Sequence, residues 1–549
     1  MNKDIKYSDI LAYIKNVNTE NKEIQVISNY TLSPIFDDYF KFYNSKYNIK
    51  IIEYSNYMSS TLSGNLVFII IKLEELFPKL FDNIYEVIIE DEIKIIYNTI
   101  DSIIKKAEDE FSCVFICDFE YDFFEPEPKG ITTKNYIIKK ANEYLHKISD
   151  KYINLYLINI NKIIARIGAD NFYNDRTYYM AKIPYSILGY NALAYDCAKI
   201  VNAQNIQRKK CLILDCDNVL WGGIVAEDGI NNIRLSRSFI GSAYRNFQKE
   251  IIRLYHSGII ICLCSKNDEK TIWDVFDNHP DMLLNKKHIS SFRINNRDKA
   301  NNIREIIEEL NISKNSVVFI DDDPYETQLA KSMIPDIETI TLNNEQPNSY
   351  VKFIKSCKFF DSLEITQQDR LRGESYKFEG IRKIELKENY DIEQYHKSLK
   401  TKIEIISADN YAISRIAELS QRTSQFNLSN KRYSIEELIE LKNSPTYEIL
   451  YLKASDIYGD MGIITACVIK YNNTCLLIES FFLSCRVFGR NFELLLLDKV
   501  KDIAFKKGIT DIIGIYIETE KNKKFNTFYK INGVNTDGIF RNNFINTTN

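Results

Sequence analysis

The sequence predicts an α/β protein of three domains, two α/β units followed by an α+β unit. Three observations carry that reading. From about 23 to 345, short apolar runs alternate with stretches of helical periodicity, the order of a parallel sheet wrapped by helices. Beyond about 401 the strands follow one another as an antiparallel meander between helices. Finally, 549 residues at about 100–200 per domain suffice for roughly three units, each with its own core.

In the first domain, 1–205, strands are expected at 22–28, 49–53, 66–71, 113–117 and 154–158, with helices over 90–110 and 134–149. The second, 206–365, repeats the pattern with strands 211–215, 259–264 and 316–320. A polar, helix-rich connector spans 366–400. The third domain, 401–549, reads as helices 409–421 and 434–442, strands 447–453, 461–470 and 474–483, helix 490–507 and strand 511–517.

Seventy-one Lys+Arg against seventy-five Asp+Glu give a formal net charge of −4, which supports neither nucleic-acid nor polybasic membrane binding. None of the eleven cysteines sits in a framework spacing, and Cys262 and Cys264 lie inside an apolar run, as expected of buried thiols in a reducing compartment. Met1-Asn-Lys-Asp4 opens a polar segment without an apolar signal core, and 66–71 is too short to span a bilayer. The expectation is a cytoplasmic protein.

The sharpest local signal is Cys211-Leu-Ile-Leu-Asp-Cys-Asp-Asn-Val-Leu220, an apolar strand running into Asp215 and Asp217. Open α/β sheets bind ligands at strand carboxyl ends, and alternation lets residues 215 and 217 face one site while Cys216 points elsewhere. Strand 259–264 ends in Ser265-Lys266-Asn267, a hydroxyl and amides suited to a phosphate oxygen. Lys299, just before helix 300–310, has the charge to neutralise a phosphate, and strand 316–320 ends in Asp321-Asp322-Asp323, hard ligands for Mg²⁺. An Asp-x-Asp alone is often a capped turn; four such pieces in order at strand ends form a pattern.

This set resembles the haloacid dehalogenase (HAD) superfamily of phosphotransferases. The resemblance implies Asp215 as nucleophile, Asp217 as general acid and then base, and Ser265, Lys266, Asn267 and Lys299 on the phosphate. It places Mg²⁺ on Asp215, Asp321, Asp322 and the Asp217 carbonyl. The longer run Asp215-Cys-Asp-Asn-Val-Leu-Trp-Gly-Gly-Ile-Val-Ala-Glu-Asp-Gly229 is similar to the FkbH-like proteins of HAD subfamily IIIC. So are Phe319-Ile-Asp-Asp-Asp-Pro-Tyr-Glu326, Thr423-Ser-Gln-Phe-Asn427, Tyr458-Gly-Asp-Met-Gly462 and Ser484-Cys-Arg-Val-Phe-Gly-Arg490. It departs from their pattern at Asn296 and Asn491, where Trp and Gly are usual.

That resemblance implies an SGNH-hydrolase-like first domain, a Rossmann-like HAD second domain and a GNAT-like acyltransferase third domain. Its activity would be removal of phosphate from a phosphoglycerate, 1,3-bisphosphoglycerate, and transfer of the glyceryl unit to the phosphopantetheine thiol of an acyl carrier protein. A plain phosphatase with a separate acyltransferase domain, or a carrier-protein scaffold, are the alternatives.

Further candidates follow from the same comparison. Cys216 and Cys485 are the thiols available for an acyl-enzyme, Cys485 being favoured by Arg486 and a helix start. The loop Arg486, Val487, Phe488, Gly489 and Arg490 resembles an acyltransferase pyrophosphate loop, and Asn522 and Tyr529 the helix after the cofactor cleft, with Tyr529 as proton donor. In the first domain Ser28 stands where an SGNH nucleophile would, but His146 is the only His before 205 and lacks the preceding Asp, so a catalytically silent domain is expected. Ligand spacing for zinc is absent.

Overall fold

The computed structural model describes residues 7–14, 22–32, 34–84, 89–126, 133–152, 154–205, 208–362, 399–457, 459–472, 475–484 and 487–538, with isolated residues between them. Most of the connector expected at 366–400 lies outside the described residues. The chain divides into two compact units, 1–207 with 361–363, and 208–360 with 364–549.

The first unit is built on β1 (Lys22–Ser28), β2 (Tyr47–Glu53), β3 (Gly64–Ile70), β4 (Phe111–Cys117) and β5 (Leu155–Ile158). They form an all-parallel sheet in the order β2-β1-β3-β4-β5. Its central strands β3 and β4 are apolar on both faces because both faces are covered, whereas edge strand β2 is partly exposed. Leu66, Phe68 and Ile70 enter one core, Val67 and Ile69 the other, where helices Ile89–Glu110 and Lys134–Ser149 pack.

The second unit contains two sheets. The first joins β6 (Cys211–Leu214), β7 (Ile260–Ser265), β8 (Ile289–Ile294), β9 (Val317–Asp321) and β10 (Glu338–Thr341), all parallel, in the order β10-β9-β6-β7-β8. Leu212 and Leu214 face one core, Cys211 and Ile213 the other. The chain reverses its direction of winding between β6 and β9, so their carboxyl ends border the crevice where such sheets take ligands.

The other sheet runs β11 (Lys402–Ser407), β12 (Tyr447–Asp456), β13 (Gly459–Tyr471), β14 (Cys475–Leu483), β15 (Asp511–Tyr516) and β16 (Asn535–Gly538) in sequence order. Pairing is antiparallel from β11 to β14 and parallel from β14 to β16. Strands β14 and β15 pair only from Cys475 to Ile478 and then part, leaving a wedge beside Ser480–Leu483. The register of β13 against β14 also slips at this point, skipping Glu479. Strands β8, β10, β11 and β16 were not expected from the sequence.

Candidate catalytic site

Capped helix starts and strand ends assemble the site. Asp215 follows β6 directly, its amide bonded to the Ile320 carbonyl of β9 at 3.0 Å, which ties the two strand ends together. Asp298 caps helix Lys299–Leu310 through the Ala300 amide at 2.6 Å and so fixes Lys299 at the helix start. Asp323 caps helix Pro324–Met333, accepting from the Tyr325 amide at 2.8 Å, and its own amide donates to Asp321 Oδ1 at 3.0 Å.

Lys299 Nζ lies 3.2 Å from Asp215 Oδ2 and 2.7 Å from Asp321 Oδ2, all three side chains being buried. Burial alone would lower the Lys299 ammonium, but Asp215 and Asp321 hold it well above its usual value. Asp215, Asp321 and Asp322 offer oxygens within 4.8 Å of one another. Burial, and next the Asp215 charge, push Asp321 up to about 7 and raise Asp322 as well. Asp215 Oδ1 is buried with no hydrogen-bond partner. Three carboxylates against one ammonium, with a bare buried oxygen among them, make a donor set that fits a hard divalent cation.

Asp217 is placed apart from that cluster by three donors. Trp221 Nε1 at 2.8 Å and the Val225 amide at 3.1 Å donate to its Oδ1, and Asn267 Nδ2 at 2.9 Å donates to Oδ2. The same Asn267 amide donates to Ser265 Oγ at 3.0 Å, so Asn267 links the β7 end to the catalytic loop. Lys266 reaches out to Glu326 at 2.5 Å and is half-exposed. The loop turns through Asn218 (φ 55°), whose side chain accepts from the Gly223 amide at 2.9 Å, and Tyr350 donates to the Asn218 carbonyl at 3.0 Å.

Other candidates land elsewhere. Cys216 is fully buried in the core beneath the loop; burial, then Asp215 and Asp217, push its thiol well up, so it is a packed thiol rather than a nucleophile. Ser28 donates to the Tyr30 carbonyl at 2.9 Å and accepts from the Tyr30 amide at 3.3 Å, a local turn rather than a link to a base, while His146 is exposed on helix Lys134–Ser149. Cys485 and Arg486 lie outside the described residues.

Most of the third domain's described candidates are occupied by structure. Arg490 is buried against Asp456 at 3.2 Å, with further contacts to Thr401 and Met461, and so is committed away from a pyrophosphate. Val487 is buried, and Phe488 joins Phe426 and Phe525 in an aromatic cluster, leaving Gly489 (φ 83°) exposed at the turn. Asn491 takes a left-handed φ of 59°, a conformation that Gly enters without strain and Asn tolerates. Tyr529 is fully buried against Gly514, and burial pushes its phenol well up, which removes it as a proton donor to a cleft.

Asn522 serves the fold instead, its Nδ2 donating to the Asn427 carbonyl at 3.0 Å. That bond belongs to a segment the sequence did not mark as a strand, 426–428, which lies in the wedge between β14 and β15. The Leu428 amide donates to the Phe481 carbonyl at 3.2 Å and the Leu483 amide to the Phe426 carbonyl at 3.0 Å. On the other side the Ile517 amide donates to the Leu428 carbonyl at 2.8 Å. Phe426 and Leu428 are buried in the domain core, and Ser429 shares a 2.6 Å hydrogen bond with Ser480. The edge of β14 that an extended ligand would use is therefore paired with the chain itself.

No protein-family model and no curated protein matches the chain. Among solved structures it is similar to the N-terminal part of the Bacteroides fragilis protein BF1531, which contains a phosphatase domain and was solved in complex with Mg. Identity is 25%, the TM-score 0.55, and the match covers 66% of this chain and 100% of that one. A ribosomal-protein-alanine N-acetyltransferase from Brucella melitensis biovar Abortus 2308 aligns over 27% of this chain and 100% of its own, at 11% identity and a TM-score of 0.21. Glucosamine-6-phosphate N-acetyltransferase from Arabidopsis thaliana aligns over 26% and 99%, at 14% identity and 0.20. With its strand-end carboxylates around Lys299, the chain is an enzyme of the phosphatase kind.

Proposed function

We propose that this chain is an FkbH-like, Mg²⁺-dependent phosphatase and glyceryltransferase that takes a phosphoglycerate, 1,3-bisphosphoglycerate, and loads its glyceryl unit onto an acyl carrier protein. The observation that carries the reading is the cluster of buried Asp215 and Asp321 with half-buried Asp322 beside Lys299, with Asp215 Oδ1 left bare. The phosphatase neighbour's Mg complex supports the metal. Asp215, Asp321, Asp322 and the Asp217 carbonyl would hold Mg²⁺, which when bound offsets phosphate charge.

Bisphosphoglycerate carries two phosphates, and a glyceryl thioester requires that both leave. Asp215 attacks the ester phosphorus; the bond from phosphorus to the sugar-acid oxygen breaks, and Asp217 gives that oxygen a proton. Asp217 then takes a proton from the water that releases phosphate from the Asp215 aspartyl-phosphate. Lys299 and Ser265 hold the transferred group throughout. The acyl phosphate remains the activated end: the carrier thiol forms the carbon–sulfur bond there, and the second phosphate departs.

Intact-mass spectrometry of a holo carrier protein incubated with enzyme, Mg²⁺ and enzymatically generated 1,3-bisphosphoglycerate tests this, beside Asp215→Asn. A glyceryl mass gain lost in the variant supports it. Phosphate release without carrier modification supports the second reading, a phosphatase acting on a phosphorylated sugar or acid. The wedge filled by 426–428 favours that second reading, since it withdraws the third domain's sheet edge from an extended thiol arm.

A further inference from the structure

Helix Gly241–His256 has two faces. Tyr244, Phe247, Ile251 and Leu254 turn inward to the core beside the catalytic loop. Arg245, Lys249 and Arg253 repeat every four residues on another face, about 6 Å apart along the axis. With the outer side of helix Tyr350–Ser356 this helix lines a cavity of about 490 Å³, its apolar lining provided by Phe239, Ala243 and Val351 and its basic lining by Lys249, Arg253 and Lys355. Arg237 adds a cation at the neighbouring end, where it shares a second hollow with Arg245 and Lys249. Phe239 is 83% exposed, a large aromatic ring left in water.

The local acids do not cancel this charge. Asp281 faces Arg237 and Arg245 at 3.7 and 3.5 Å, and buried Glu250 faces Arg253 and Lys355 at 2.7 and 3.7 Å. Five cations thus meet two carboxylates, on a chain whose overall formal charge is −4. Both helices also brace the active site from within. Tyr350 bonds the Asn218 carbonyl at 3.0 Å, and the Tyr244 ring packs where a Gly222 side chain would stand.

We propose that this groove docks an acidic amphipathic helix of a partner protein, with Asp or Glu at four-residue spacing over the cations and an apolar side chain against Phe239. Resting on the function proposed above, that partner is the carrier protein. The groove sits on the outer sides of the two helices whose inner sides hold the catalytic loop, so a docked carrier does not use the filled wedge.

The test uses the full chain and two fluorescent helical peptides with the same apolar face, one with Glu and one with Lys at four-residue spacing. The Glu peptide should bind by fluorescence anisotropy, weaken from low to physiological salt, and lose about tenfold or more in affinity with Arg237→Glu/Lys249→Glu. That variant should keep its turnover of p-nitrophenyl phosphate, which shows that it is folded. Equal binding to wild type and variant overturns the proposal, as does tighter binding of a single-stranded oligonucleotide of the same charge. Failure of glyceryl loading with peptide binding intact removes the carrier and leaves the groove. Loading with an unchanged carrier KM in the variant removes the groove and leaves the carrier.

Discussion

The two parallel sheets present similar groups at their carboxyl ends and do opposite things with them. After β3 and β4 of the first sheet stand Lys72 and Glu120, paired at 2.7 Å. Tyr173 donates to the same Glu120 oxygen at 2.8 Å, Tyr185 bonds the other, and Tyr30 shares a 2.7 Å hydrogen bond with Tyr185. Every acceptor there is answered. After β6 and β9 of the second sheet, Lys299 stands between two carboxylates, and Asp215 Oδ1 has no partner at all. A lysine–carboxylate pair at a strand end is thus structure when saturated with phenols and chemistry when left short of donors. The first sheet has the topology for a ligand site and has closed it.

Asp215→Asn should break the contrast most completely, lowering phosphate release roughly 10³-fold or more in a steady-state phosphate assay. Glu120→Gln should cost about 2 kcal/mol in urea denaturation, because it takes the charge partner from the half-buried Lys72 and leaves three donors on a neutral amide. The same variant should leave phosphate release unchanged; a fall in turnover would mean that the first sheet is not silent. Lys299→Met should lower kcat/KM roughly 10²-fold, since transferred phosphate then loses its buried cation. The smallest expected effect is on pH. With its carboxyl raised to about 7, folded Asp321 binds its proton more tightly than the unfolded chain does. Metal-free protein should therefore lose stability as pH rises through about 7. Mg²⁺ must displace that proton, so its affinity, read by thermal shift, should be roughly tenfold weaker near pH 6 than near pH 8.

Much of the second sheet was legible because its strands are short apolar runs ending in charged residues. Cys211–Leu214 and Val317–Asp321 fall within a residue or two of expectation. Strand β8 was not, since Ser290, Ser291 and Arg293 interrupt its apolar pattern; in the fold Arg293 is answered by Glu305 and Glu309 of the next helix. The carboxylates of Asp215, Asp321 and Asp322 and the Lys299 ammonium that the fold brings together were singled out by order and spacing. Their supports were less so: nothing local marks Trp221 and Asn267 as the holders of Asp217, and Tyr350 lies 132 residues from the carbonyl it bonds. The wedge was the hardest feature to read, because 426–428 becomes strand-like only through partners at 481, 483 and 517. Loop-like residues in a foreign sheet carry no periodicity of their own.

The position of Cys216 bears on how this enzyme ages. The loop after β6 carries a sulfur atom between Asp215 and Asp217, yet that sulfur has no solvent access and burial pushes its thiol well up. Peroxide and alkylating reagents act on exposed thiolates, so the loop presents them with nothing to modify while the protein is folded. Oxidation or alkylation of Cys216 would then require the loop to unfold first, so this sulfur is guarded for as long as the fold around it holds.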